Sequence, residues 1–367
     1  MAILSNVFGA LQIPDDDYTF LLTYGQEAVF NATQALLGNH NDDLEQFERV
    51  FVEKDTSAHI ERYYLATGGR LGKLTNKTKP ADTKAGGNWD VAFPLEQWGD
   101  RVAGDDVQMA YMSPGQYARN IAQVMESDVN TRRHEMLKRL FNNGGGSPIV
   151  FVDPFWGSLN LQPLANGDTT VYPPVVGSEI NSVRNNYLTR SYATAAISDT
   201  NDPLTPIVNL LRSTFGIPTG GSNIAVFGNQ TMTDAISANM TLFNPIQMLY
   251  QQLGDNITQA VNWPTGLPGE VIGTFGGKCL VIHWEWIPAD YLLAIHLDAP
   301  PPLRRRIDPP GTGLRPGLQL ISQKRDAPLE EVMWRNRFGY AVGNRLNGVV
   351  MELAQAGSYA VPTGFSD

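Results

Sequence analysis

Residues 113–143 read SPGQYARNIAQVMESDVNTRRHEMLKRLFNN, and this stretch predicts one long helix. Ser113 can cap the first free amides, Pro114 suits the first helical position, and Gln116 completes a capping box with Ser113. Three glycines follow at positions 144–146, and they end a helix because they allow positive φ angles. At about 1.5 Å per residue the helix is roughly 45 Å long, so other elements must pack along it.

One face of this predicted helix is apolar and the other is charged. Asp128 and Arg132, like Glu135 and Arg139, lie four residues apart and can pair on the charged face. A coiled coil is the alternative, but Arg132 interrupts the apolar seam and no second heptad segment of similar length follows. The apolar side chains recur at the three-and-four spacing of one buried face: Tyr117, Ile121, Val124, Met125, Val129, Met136, Leu137, Leu140 and Phe141.

Composition excludes several classes of function. The chain has 367 residues, of which 42% are hydrophobic and 17% charged, and these values predict a globular protein with two domains or one elaborated domain. Its 27 basic and 37 acidic residues give a net charge of -10, which disfavours a protein that grips nucleic-acid phosphates. No apolar run is long enough to span a bilayer, and no Lys or Arg precedes Arg49, so neither a membrane protein nor a secretory signal is predicted. The single cysteine, Cys279, is predicted to be a small core residue.

Residues 1–58 predict an N-terminal arm with one or two short helices, such as residues 26–37. Residues 59–112 predict an extended β-hairpin, because Trp89, Val91, Phe93 and Leu95 alternate with other residues. A two-stranded ribbon is marginal in water, so its aromatic face needs another surface, and a neighbouring copy of the chain is a natural source. The polar tip of this hairpin carries four lysines: Lys73, Lys77, Lys79 and Lys84.

After the long helix the sequence predicts a strand at residues 149–152, another at 168–176, and then alternating strands and helices. The prolines of residues 300–313, PPPLRRRIDPPGTG, predict a rigid connector that is neither helix nor central strand. Beyond it, residues 338–353 alternate and predict a long terminal strand that lies beside the long helix. Between these limits we predict helices at 203–215, 231–239 and 244–253, and strands at 224–227 and within 269–287.

The search for chemistry gives weak candidates. His283 and Glu285 would share one face of a strand, and His296 would be a third ligand for a metal, but this spacing is common by chance. The glycine clusters at 273–277 and 311–313 lack phosphate-binding or dinucleotide spacing and are predicted to be turns. No catalytic, cofactor or metal residue is therefore predicted. The only basic run, Arg304, Arg305 and Arg306, favours a solvated face over a contact with acidic groups of a neighbouring subunit.

Taken together, the arm, the hairpin, the long helix, the mixed region and the returning strand resemble the major capsid protein of tailed bacteriophages, which has the Hong Kong 97-like α+β fold. The resemblance implies an extended loop at 59–112, a peripheral domain with the spine helix at 113–184, an axial domain at 185–310, and a return to the peripheral domain at 311–367. Its most specific segments are NWDVAFPLEQWGDRVAGDDVQMAYMSPGQYARNIAQVMESDVNTRR at 88–133, GEVIGTFGGKCLVIHWEWIPADYLLAIHL at 269–297 and WRNRFGYAVGNRLNGVVMELAQAGSYAVPTGF at 334–365.

The resemblance also implies a function and partners. The chain would be a non-enzymatic capsid subunit that forms pentamers and hexamers, assembles in the host cytoplasm and belongs to the virion, with packaged DNA nearby but no sequence-specific binding. A portal protein and a decoration protein are further expected partners. Because the chain lacks a long helical, charged N-terminal extension, a separate scaffolding protein is expected. The candidate subunit contacts are Lys73, Lys77, Trp89, Phe93, Trp98, Arg304, Arg305 and Arg306.

Three alternatives stay open at the level of sequence. Some members of the resembled family form a Lys-Asn bond between subunits, but nothing selects a pair among the four hairpin lysines and Asn336, Asn344 or Asn347. A cellular nanocompartment shell is the second alternative. A metal-dependent hydrolase that uses His283, Glu285 and His296 is the third.

Overall fold

A computed structural model describes residues 26–66, 85–103, 111–167, 184–192, 196–215, 223–246, 266–323, 331–353 and 357–366. These residues form a mixed α+β fold with two large sheets and two β-hairpins. The helices within the described ranges are α1 (Gln26–Glu48), α2 (Pro114–Phe141), α3 (Leu204–Phe215) and α4 (Gln230–Asn239).

The long helix α2 begins and ends as the sequence predicts. The Ser113 hydroxyl accepts a hydrogen bond from the Gln116 N–H at 3.3 Å, and the Gln116 side chain accepts one from the Ser113 N–H at 3.3 Å. The helix ends at Phe141, where the Asn142 N–H donates to the Lys138 carbonyl at 3.0 Å. A 3-10 turn with positive φ angles, Gly144–Gly146, follows it.

Helix α1 lies within the range predicted as an arm, and it packs on α2. Its Leu36 and Leu37 share a buried cluster with Tyr117 and Ile121 of α2. The prediction of one or two short helices is therefore wrong, because α1 runs for 23 residues. Tertiary packing of its apolar side chains stabilises the helix across Gly38, where local propensity favours a break.

The first large sheet has the order β1 (Val52–Thr56), β13 (Leu303–Arg306), β15 (Glu331–Val342) and β14 (Gln319–Gln323), and β4 (Glu96–Ala103) also pairs with β15. Strand β15 is long enough to pair with β4, β13 and β14 along its length. It packs beside α2, which confirms the predicted terminal strand at this position.

The proline-rich connector contains a central strand, so the prediction for residues 300–313 is wrong. β13 is parallel to β1 on one side and antiparallel to β15 on the other. The prolines lie outside the four residues of β13, so every backbone N–H of the strand remains able to donate.

The second large sheet has seven strands in the order β7 (Tyr187–Thr189), β16 (Val349–Glu352), β12 (Tyr291–His296), β8 (Ile224–Gly228), β11 (Cys279–His283), β10 (Glu270–Phe275) and β9 (Phe243–Pro245). Both faces are buried. Ile224 and Val226 pack with α3 and α4, whereas Ala225 and Phe227 belong to the cluster that contains the last turns of α2.

Most predicted elements of this region are confirmed, with small shifts. Helices α3 and α4, strand β8 and the β10–β11 hairpin lie where the sequence predicts them, and Cys279 is a buried core residue. The cap of α4 is Asn229, whose side chain accepts from the Met232 N–H at 3.1 Å. The predicted helix at 244–253 is wrong at its start, because Phe243–Pro245 pairs with β10 as β9. Most of the remainder of that helix and the predicted strand at 168–176 lie outside the described residues.

Strand β16 corrects the prediction of one long terminal strand. It pairs with β7 and β12 in the seven-stranded sheet, whereas β15 belongs to the five-stranded sheet. Gly348, with φ +119°, redirects the backbone between β15 and β16, and the Asn347 side chain ties this turn to the His296 carbonyl at 3.0 Å. The predicted domain ranges 113–184, 185–310 and 311–367 remain predictions. Strands of the last two ranges pair with each other: β13 of the second range pairs with β15 of the third, and β12 of the second range pairs with β16 of the third.

The predicted hairpin is present but shorter. β2 (Ile60–Ala66) pairs with β3 (Ala85–Ala92), and the lysine tip between them lies outside the described residues. Pro94 has no N–H to donate, and the chain leaves the ribbon there and continues as β4 in the five-stranded sheet. A second hairpin joins β5 (Ile149–Asp153) to β6 (Gly157–Leu161) and contacts β3.

The helices within the described ranges were also compared with the length and apolar character of a membrane span, and none of them meets both requirements.

Candidate functional site

The three arginines of β13 are buried, with exposures of 8%, 8% and 5%, so the solvated-face interpretation is wrong. Arg304 donates to the carboxylates of Glu53, at 2.9 Å, and Glu61. The acidic partners expected on a neighbouring subunit are therefore present in the same chain. A contact of this run with another subunit stays a prediction.

Glu48, at the end of α1, joins four elements of the fold. One of its oxygens accepts from Arg132 Nη1 of α2 at 2.9 Å and from the Tyr340 hydroxyl of β15 at 2.7 Å. The other accepts from Arg305 Nη1 of β13 at 2.5 Å. Arg305 also forms a two-bond pair with Asp55, with distances of 2.8 and 2.7 Å. We call Glu48, Arg132, Arg305 and Tyr340 the Glu48 hub.

A second carboxylate extends the hub along α2. Asp128 contacts Arg132 Nε at 3.2 Å and His40 Nε2 at 3.2 Å, and it accepts from Asn336 Nδ2 at 2.6 Å. Burial raises the pKa of Asp128, but the hydrogen bonds from His40 and Asn336 and the charge of Arg132 outweigh it and leave the pKa below its usual value. Asp128 is therefore an ionised acceptor inside the fold.

Burial and charge set the protonation of Arg305 and Tyr340. Burial lowers the pKa of Arg305, but the hydrogen bond to Asp55 and the charges of Glu48 and Asp55 outweigh it, so the guanidinium stays charged. Burial raises the pKa of Tyr340 well above its usual value, which keeps the phenol a neutral donor. The hub links α1 to α2, β13 and β15, and removing one of its charged members leaves a buried charge with less compensation.

The hairpin β2–β3 is attached to the body of the subunit at its base. Val91 and Phe93 pack on Ala341 of β15 and are completely buried. Arg306 Nη1 donates to the Phe93 carbonyl at 2.8 Å and to Asp153 at 2.9 Å. The prediction that the Phe93 ring needs a neighbour's surface is therefore wrong, because its own chain covers it.

The other candidate contacts have different positions. Trp98, on β4, is half-buried, and its ring stacks on Phe338 with centroids 6.1 Å apart. The backbone of Trp89 pairs with that of Tyr63 in the β2–β3 ladder, whereas the structure does not describe the Trp89 side chain. Lys73 and Lys77 also lie outside the described residues. Their role as subunit contacts stays a prediction.

No protein-family model and no curated protein sequence matches this chain. Solved structures do match it. A structure of Mycobacterium phage Patience aligns over 93% of this chain and 91% of its own, with a TM-score of 0.66 and 18% identity. The asymmetric unit of the bacteriophage PhiM1 mature capsid aligns over 84% and 87%, with a TM-score of 0.50 and 10% identity. The capsid structure of cyanophage P-SCSP1u aligns over 84% and 88%, with a TM-score of 0.50 and 9% identity.

The chain has the Hong Kong 97-like capsid fold. The assignments of α2 as the spine helix and of the hairpin β2–β3 as the extended loop stay predictions. At 9–18% identity the likeness is one of backbone architecture. The ion pairs described above are therefore taken from the structure of this chain alone, and the phage structures provide no support for them.

Within the capsid fold, the three asparagines considered for a Lys-Asn bond all bind their own chain. Asn336 donates to Asp128, and Asn344 Nδ2 donates to the Pro300 carbonyl at 2.9 Å. Asn347 Nδ2 donates to the carbonyls of His296 and Pro300. The four hairpin lysines lie outside the described residues, so a bond with them stays a prediction.

The proposed metal trio is not brought together. His283 lies opposite Gly228 of β8, and His296 lies opposite Ile224, four residues away on the other side of that strand. At about 3.4 Å per residue this offset alone separates them by roughly 14 Å, too far for one metal ion. His283 instead pairs with Glu285 at 3.0 Å. Among the described residues, no three His, Cys, Asp or Glu side chains form a group that could hold a metal.

Sequence reasoning missed Glu48, which binds Arg305 together with Asp55, and Asp153, which binds Arg306. Neither stands in a motif, and their partners are 257 and 153 residues away. The available signal was indirect. A basic triplet between prolines requires counter-charges if it is buried, but nothing in the triplet indicates burial.

We expect acid to weaken the Asp153–Arg306 pair. Burial raises the pKa of Asp153, but the N–H groups of Phe155 and Trp156 and the charge of Arg306 outweigh it and lower the pKa. A carboxylate with a lowered folded-state pKa contributes stability that is complete above its unfolded value, about 3.9, and is lost as the pH falls through the folded value. Between about pH 4 and pH 2, the free energy of unfolding should therefore fall more steeply for the parent than for Asp153→Asn. Denaturant titrations at each pH test this, and equal slopes contradict it.

Proposed function

We propose that this chain is the structural subunit of the icosahedral shell that encloses the double-stranded DNA genome of a tailed bacteriophage. The observation that carries the proposal is the likeness of the backbone to a phage structure over 93% of the chain, at a TM-score of 0.66. Two further structures of the same fold come from phage capsids. The proposal assigns no catalytic residue, cofactor or metal to the chain.

The attachment of the hairpin supports a role in assembly. A ribbon that contacts another subunit must keep a fixed direction, since each copy in a closed shell repeats the same contact. In this chain the base of β2–β3 is fixed by Phe93 in the core and by Arg306, which binds both the Phe93 carbonyl and Asp153. The Glu48 hub fixes the sheet from which Arg306 projects. The hairpin is thus presented by a rigid base.

The same proposal names the partners. Copies of the chain form pentamers and hexamers, a separate scaffolding protein guides them, and a portal and a decoration protein join the shell in the host cytoplasm. Packaged DNA lies nearby without sequence-specific contacts, in keeping with a net charge of -10. The candidate contacts between subunits remain Lys73, Lys77, Trp89, Trp98 and the run Arg304, Arg305 and Arg306.

The test is the size of the purified protein. Size exclusion and negative-stain images should show capsomers of five or six chains and closed particles at high protein concentration. A chain that stays monomeric or dimeric at every concentration contradicts the proposal. Particles isolated from the native source should contain double-stranded DNA, whereas particles filled with a cargo enzyme would favour a nanocompartment shell.

A further inference from the structure

The hairpin β5–β6 ends in large apolar side chains that face solvent. Phe155 is 82% exposed and Trp156 is 58% exposed, and Val150 and Val152 on the outer face of β5 are 51% and 69% exposed. We call these four residues the aromatic tip. Aromatic side chains of this size are normally covered, and contiguous exposed apolar patches mark interaction sites.

The opposite face of the same hairpin is covered by its own chain. Ile149, Leu159 and Leu161 are buried against Ala92 of β3. Because side chains alternate along a strand, this packing necessarily turns Val150 and Val152 outward. The outer positions of an antiparallel hairpin are usually polar, and here Ser158 and Asn160 on β6 follow that rule while the β5 valines do not.

The tip is held in one conformation. The Asp153 carboxylate accepts from the N–H groups of Phe155 at 2.9 Å and Trp156 at 3.2 Å, and it pairs with buried Arg306 at 2.9 Å. The His59 ring stacks on Trp156 with centroids 4.0 Å apart. A rigid aromatic contact loses little conformational entropy on binding, so the tip is preorganised for a partner.

The charge of the tip indicates which partner fits. Among residues 147–161, SPIVFVDPFWGSLNL, the only charged residue is Asp153, which is buried and paired. Two copies of a chain with net charge -10 repel each other, so they associate best through surfaces without net charge. The aromatic tip is such a surface.

The size of the patch indicates the kind of assembly. Aromatic side chains offer about 150–250 Å² each, so with the exposures given above Phe155 and Trp156 present on the order of 300 Å², and the two valines add to this area. A stable two-protein interface buries about 800 Å² on each partner. The tip is too small to hold an isolated dimer, but the same contact repeated by symmetry can contribute to a closed shell.

We propose that the aromatic tip is a subunit contact and that it docks on a second copy of this chain in the closed shell. The assignment rests on the proposed function, because it requires a shell. It deepens that function by naming a contact at the end of β5–β6, distinct from the extended hairpin β2–β3. Phe155 is its central side chain, since it is the most exposed of the four.

Thiol labelling tests the contact directly. Cys279, the one native cysteine, is buried, so Phe155→Cys supplies a single accessible thiol. We expect a maleimide to react rapidly with this variant as unassembled subunits and at least tenfold more slowly in closed particles formed from the purified chain alone. The parent chain gives the background rate. Equal rates before and after assembly overturn the proposal, and because no other protein is present, protection identifies a copy of the chain as the partner.

A pair of variants tests whether the contact matters for assembly. Phe155→Asp places a charge in every copy of the contact, and Phe155→Leu keeps the surface apolar. We expect both subunits to fold with the circular dichroism and Tm of the parent, because the side chain is exposed, and we expect Phe155→Asp to give at least tenfold fewer closed particles. Normal assembly of Phe155→Asp overturns the tip proposal and leaves the shell function intact. A parent chain that stays monomeric or dimeric at every concentration overturns both.

Discussion

Glu48→Gln is expected to lower the free energy of unfolding by about 3–5 kcal/mol, the usual cost of breaking a buried ion pair. The Glu48 side chain is 3% exposed and accepts from Arg132, Arg305 and Tyr340. A neutral amide can still accept hydrogen bonds, but it cannot balance two buried guanidinium groups. Asp128 and Asp55 remain as partners for these two arginines, so we expect the variant to fold with reduced stability.

The matched control is Glu53→Gln, the same chemical change at a glutamate that binds a neighbouring arginine of β13. The Glu53 side chain is 30% exposed, and its partner Arg304 keeps a second carboxylate, Glu61. Partly exposed pairs contribute little, so this variant should lose less than about 1 kcal/mol. Urea unfolding of the unassembled subunit measures both. Equal losses for the two variants contradict the central role of Glu48.

Phe93→Ala is expected to cost about 3–5 kcal/mol in the unassembled subunit, as do other deletions of buried aromatic rings. The ring is completely buried with Val91 and Ala341, in the segment that joins the hairpin to β4. Its loss leaves a cavity beside the Arg306 contact, and we expect the hairpin base to loosen with it.

Phe155→Ala is the control, since it removes the same ring from an exposed site. Phe155 is 82% exposed, and a surface substitution usually changes stability by no more than about 0.5 kcal/mol. Thermal unfolding of both subunits separates a phenylalanine that holds the fold from one that faces outward. A near-neutral Phe93→Ala would contradict the role of this ring in the stability of its own subunit.

Local sequence was sufficient for the elements whose determinants lie within one turn or one ribbon. The capping box and the three glycines define α2 because each bonding partner lies within four residues. The apolar spacing of α3 and the glycine-spaced hairpin β10–β11 are equally local, and Cys279 is buried as predicted. The order of these elements along the chain was enough to indicate the capsid fold.

Only the tertiary structure decided the rest, because the deciding partners are distant in sequence. The prolines on both sides of Leu303–Arg306 predicted a connector without secondary structure. These residues form a strand because their backbone groups pair with those of β1 and β15. The three arginines were predicted to face solvent. They can be buried because acidic side chains as far as 257 residues away neutralise their charges. The sequence predicted that Phe93 contacts a neighbouring subunit. The side chain is instead buried in its own chain, because it packs on Ala341 of β15. Alternation and charge indicate that a side chain needs a partner, whereas the choice between its own chain and another is made by the packing of the whole fold.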